Sequence, residues 1–142
     1  MQLLRGWMYG VGALYLVLAF LSSPPMMGLA LRGTGAALDP GALQVILDLS
    51  LFLGTIVAVL GIFLLRGAEE PQAHRELVRL VVWVELIAGF LLTAYMTIRG
   101  YGNPGILLPL AVAHAGIAFS GHQALRRFKR HLTVVKPIQR VS

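Results

Sequence analysis

Ala42-Leu-Gln-Val-Ile-Leu-Asp-Leu-Ser-Leu-Phe-Leu-Gly-Thr-Ile-Val-Ala-Val-Leu-Gly-Ile-Phe-Leu-Leu65 is a run of 24 residues with one charge, Asp48. As a helix rising 1.5 Å per residue it would be about 36 Å long, enough to cross a hydrocarbon core of about 30 Å. Three more runs share this character, roughly 7–23, 80–98 and 104–125. Together they predict an all-α fold, a bundle of four transmembrane helices making a single membrane domain over residues 1–142.

Composition points the same way. Hydrophobic residues form 57% of the chain and charged residues 13%, about half the charge of a soluble domain. Cysteine is absent, which excludes disulfides, thiolate metal sites and cysteine nucleophiles. The net charge of +6 would suggest nucleic acid in a soluble protein. Here the bases sit at the ends of the spans, so membrane lipid is the expected partner and nucleic acid is not.

The bases also set an expected topology. Ten of the twelve lie at Arg5, in the second loop (Arg66, Arg75, Arg79) and in the tail 126–142 (Arg126, Arg127, Lys129, Arg130, Lys136, Arg140); only Arg32 and Arg99 fall in the first and third loops. The positive-inside rule then places both termini and the second loop in the cytoplasm of a bacterial cell. Arg126, Arg127, Lys129 and Arg130 are expected to anchor the tail on anionic headgroups. The first span is read as a retained helix, since Pro24-Pro25 follow Ser22-Ser23 directly and no A-x-A cleavage site is present.

Local signals refine the elements. Pro24-Pro25 should end the first helix, and apolar Met26–Leu31 should form a short interfacial helix. Asp39 is a candidate N-cap for the second span, with Pro40 at its first position. Glu70-Pro71 should start the third span early, and Pro109 should kink the fourth. Gly12, Gly54, Ala58, Gly61 and Gly116 are small residues at which helix backbones can approach closely.

Three ionisable residues lie inside spans: Asp48, Glu85 and His114. Such groups are costly in hydrocarbon, about 2.5–3.5 kcal/mol for a charge at the helix centre, and so mark candidate sites. Counted along the helices, Asp48, His114 and Glu85 lie about 9, 15 and 20 Å from the external side, a ladder with rungs about 6 Å apart. Gln44, Ser50, Thr55, Thr93, Tyr95, Ser120 and His122 extend it. In one reading the three bind a ligand or relay protons. In the other they cross-link helices by hydrogen bonds of about 0.6–2 kcal/mol each. The depth spread argues against one metal, which needs ligands within about 2 Å. No metal is expected, and the sequence assigns no cofactor and no catalytic residue.

Arg5-Gly-Trp7-Met8, Val11-Gly12-Ala13-Leu14-Tyr15, the acidic-proline-histidine-arginine second loop and the Glu85 helix resemble the small bacterial four-helix membrane families of the BphX-like and DoxX-like kind. The resemblance covers the layout of the whole chain. It implies a four-helix bundle and, by association of some members, a place beside oxidoreductases or catabolic pathways. It transfers no catalytic residue.

The functional expectation is a non-catalytic accessory or structural subunit of a larger membrane complex, or a homo-oligomer. The alternative is a stand-alone binder, carrier or enzyme for a small hydrophobic molecule using Asp48, Glu85 and His114, or a proton-coupled transporter.

Overall fold

The structure is a computed structural model that describes residues 2–33, 39–100 and 103–135, with side chains as far as Phe128. Its elements are α1 (Gln2–Leu21), α2 (Pro24–Gly33), α3 (Pro40–Gly67), α4 (Arg75–Ile98) and α5 (Pro104–Val135). No strand occurs among the described residues. α1, α3, α4 and the Pro104–Phe128 part of α5 are each long and apolar enough to cross a membrane. At most 28% of any of these spans is buried within the chain. Most of their outer surface is apolar, with Phe20, Phe52, Phe63, Trp83 and Phe119 all exposed, as lipid-facing helices require.

The helix ends follow local chemistry. Asp39 Oδ1 accepts from the Gly41 and Ala42 amides at 2.9 and 3.0 Å, which caps α3 with Pro40 at its first position. Asn103 does the same for α5: its side-chain oxygen takes the Gly105 amide at 2.8 Å, ahead of Pro104. α4 stops at Gly100, whose φ of 71° is a left-handed conformation that glycine adopts without strain. Pro24-Pro25 both ends the chain's first helix and opens α2, because proline at a first helical position loses no hydrogen bond.

One expectation needs correction. α4 begins at Arg75, since Pro71 lies in a turn closed by the Ala73 amide on the Glu70 carbonyl at 3.1 Å. Past the apolar run that ends near residue 125, the helix carries on without a break: α5 runs to Val135. No glycine or proline falls between His122 and Val135, and lysine, arginine and leucine are good helix formers. α5 also continues through Pro109, where only the bond to the first-turn carbonyl of Gly105 is lost.

The chain divides into two compact units, residues 9–66 and residues 1–8 with 67–142. In the first, α1 and α3 meet at glycine. A Cβ on Gly12 would lie 3.0 Å from the Gly61 carbonyl oxygen, and one on Gly61 would lie 2.9 Å from that of Gly12. Gly54 approaches Ser22 and the Ala19 carbonyl, and Ala58 lines a small hollow beside them. Gly116, in the other unit, makes no such contact: a methyl group added there would have nothing within 4 Å.

In the second unit α4 and α5 pack antiparallel, with Val82 against Gly121 and Glu85 against His114. The opening turns of α1 pack here too, burying Leu4 and Met8. Trp7 Nε1 donates to Ser120 Oγ at 3.0 Å. Arg5 donates to the carbonyls of Ala68 and Glu69 at 3.0 and 3.1 Å, the turn that follows α3. The guanidinium thereby satisfies two backbone carbonyls that lie beyond the end of the helix.

Candidate functional site: the Glu85–His114 clasp

The inward face of α4 carries Val78, Val81, Glu85, Gly89 and Thr93, all buried. Opposite them, α5 presents Ala111, His114, Ala118 and Gly121, spaced at three and four residues as one helix face requires. The small residues on α5 let the two helices approach, and the two ionisable groups meet at the contact.

His114 Nδ1 lies 2.5 Å from Glu85 Oε2. Glu85 is 4% exposed and His114 24%. A contact this short needs one proton on the line between nitrogen and oxygen. An imidazolium facing a carboxylate meets that need, and so does a carboxylic acid facing imidazole. Both carry no net charge, which is the condition for placing ionisable groups in hydrocarbon. The pair therefore removes most of the cost that either residue would carry alone.

Local backbone geometry makes room for it. Residues Glu85–Leu91 form a π-helical segment inside α4, with backbone bonds reaching one residue further than in an α-helix. Residues four apart share a helix face, and the wider turn offsets the drift of about 80° that an α-helix would build up between Glu85 and Thr93. Gly89 is the enabling residue. A Cβ there would lie 2.5 Å from His114 Cγ and 2.9 Å from His114 Cβ, and closer still to Nδ1. Only a residue without a side chain admits the imidazole.

The other candidates take separate places. Asp48 belongs to the unit of residues 9–66, where Gln44 Nε2 from the preceding turn of α3 donates to its Oδ1 at 2.9 Å. Ser50 and Thr55 donate to carbonyls of their own helix, at Leu47 and Leu51. Ser120 receives Trp7, Thr93 is buried beyond Gly89, and His122 lines a groove on the outside of α4 and α5. Arg126 and Arg127 are exposed; the side chains of Lys129 and Arg130 lie outside the described residues. Among the described residues no three histidines, aspartates or glutamates cluster as metal ligands.

Sequence reasoning singled out Glu85 and His114 as candidates but not Gly89 or the π segment. The available signal was a glycine four residues after an intramembrane glutamate, at a depth shared with a histidine on the next span.

No curated protein and no solved structure matches this chain. The BphX-like family description matches residues 1–130. That match takes in all four spans and the Glu85–His114 clasp, and the chain belongs to the BphX-like family.

Proposed function

We propose that this protein is a non-catalytic accessory subunit of the bacterial cytoplasmic membrane, with both termini in the cytoplasm, packing against larger membrane partners. The observation that carries the reading is the clasp. Glu85 and His114 are engaged with each other between two helices, which is the behaviour of an internal fastener. The outward faces, by contrast, are almost wholly apolar, as suits contact with lipid or other spans. The test is extraction from the native membrane in mild detergent followed by native mass spectrometry. A fixed-stoichiometry complex that survives Glu85→Gln is expected. A lone chain or homodimer would overturn the reading.

One observation favours a second reading, a stand-alone binder or proton-handling protein centred on the same pair. π-helical segments occur often at functional sites, and this one starts at Glu85. In that case a small molecule would co-purify with the lone chain, and Glu85→Gln or His114→Ala would abolish its retention while helix content stayed unchanged.

A further inference from the structure

A groove of about 540 Å³ runs along the outside of α4 and α5. Its walls are Trp83, Phe90 and Phe119, and its floor includes Ala115 and Ala118. At one end stand Arg79, His122 and Arg126. These three lie together because the helices are antiparallel, which sets the start of α4 beside the end of the α5 span. Arg79 already holds Glu76 through Nη1, at 2.7 and 2.8 Å. Arg126 is exposed, with no hydrogen-bond or ion-pair partner among the described residues.

Length and charge point to the occupant. From Arg79 to Phe90 is eleven residues, about 16 Å of helix, close to the depth of one leaflet of a ~30 Å core. An alkyl chain about 4–5 Å across at van der Waals contact needs roughly 250 Å³, so the two chains of one lipid fit. The cationic end supplies the complement of a phosphate, for which arginine is the best-suited donor.

We propose that this groove is a binding site for one anionic diacyl phospholipid, its chains against Trp83, Phe90 and Phe119 and its phosphate at Arg126 and Arg79. The phosphate sits chiefly on Arg126, since Arg79 is shared with Glu76. The inference stands apart from the subunit reading, because occupancy of the groove and the mass of the complex are separate signals.

Trp83 reports the site directly. The chain has two tryptophans, Trp7 and Trp83, so the full-length Trp7→Phe protein carries a single tryptophan, located in the groove. It is reconstituted in phosphatidylcholine with increasing fractions of dibrominated phosphatidylglycerol, or of dibrominated phosphatidylcholine as reference, and Trp83 quenching gives the relative affinity. Phosphatidylglycerol is expected to bind about fivefold more tightly, the equivalent of about 1 kcal/mol for one base at the surface. Arg126→Gln should bring the ratio close to one. Arg127→Gln removes the same charge from a residue that does not line the groove and should lower the ratio by much less. Circular dichroism verifies that each variant keeps its helix content. Equal quenching by the two lipids overturns the proposal. So does an equal loss in both arginine variants, which would reveal only a diffuse surface field, and so does a Trp83 that neither lipid can reach.

Discussion

Adding one methyl group at Gly89 should change sign in its effect on stability according to whether His114 is present. In an uninterrupted helix, alanine is better than glycine by about 1 kcal/mol. At position 89 the new Cβ would stand 2.5 Å from His114 Cγ and 2.9 Å from its Cβ. Turning the ring about Cβ–Cγ leaves Cγ in place, and no change of rotamer moves His114 Cβ, so the helices must separate. Overpacking of this kind costs about 1–3 kcal/mol, which outweighs the propensity gain and leaves a net loss of about 1–2 kcal/mol. With His114→Ala the obstruction is gone, and Gly89→Ala should stabilise by up to about 1 kcal/mol. The coupling between the sites is then about 2–3 kcal/mol, near the upper end for residues in contact. The cycle is best run on the Glu85→Gln chain, so that deleting His114 leaves no unpaired buried carboxylate. Unfolding in mixed detergent and dodecyl sulfate micelles, followed by far-ultraviolet circular dichroism, gives the four stabilities. If Gly89→Ala has the same effect in both backgrounds, the close approach of Gly89 to the imidazole is refuted.

Glu85→Ala, which leaves His114 facing an empty partner site, should cost about 3–5 kcal/mol, while Glu85→Gln keeps a hydrogen-bonding group there and should cost about 1–2 kcal/mol; the same unfolding assay ranks them, and equal losses would show that the pair adds nothing beyond packing. Gly61→Val places a side chain 2.9 Å from the Gly12 carbonyl oxygen and should destabilise by about 1–3 kcal/mol, whereas Gly116→Ala meets no neighbour and should stabilise by up to about 1 kcal/mol. The chain has no cysteine, so single cysteines can be introduced without background: in intact cells an impermeant maleimide should label Arg32→Cys and leave Ala73→Cys unlabelled, and the reverse pattern would overturn the assigned topology.

The spans were legible because transfer into hydrocarbon depends on local composition, and the Asp39-Pro40 cap because capping is local chemistry. The start of α4 was not, since Glu70-Pro71 favours a helix start equally well, and the observed turn places Pro71 in a buried position that composition does not reveal. The reach of α5 beyond its apolar run was not legible for a different reason: hydropathy falls at Arg126, but helix propensity does not. Within the site, the identities of Glu85 and His114 stood out as charges in an apolar run. Their meeting did not, because it depends on a neighbour's missing side chain. Depth counted at 1.5 Å per residue set Glu85 and His114 about 5 Å apart along the membrane normal, whereas long side chains on antiparallel helices close that gap to 2.5 Å between atoms.

The π-helical segment gives α4 a spare residue. Beyond it, every position is set back by one place, about 100° of rotation, so Thr93 occupies the direction that the seventh residue after Glu85 would take in a plain α-helix. Removing one residue from 86–88 would restore the plain helix, bring Gly89 to the third place after Glu85 and Thr93 to the seventh, and leave both facing α5. A one-residue deletion anywhere from 79 to 84 has no such slack and would turn Val78 or Val81 away from Glu85's side of the helix. The membrane span thus contains a short window in which its length can change without rewriting which residues face inward.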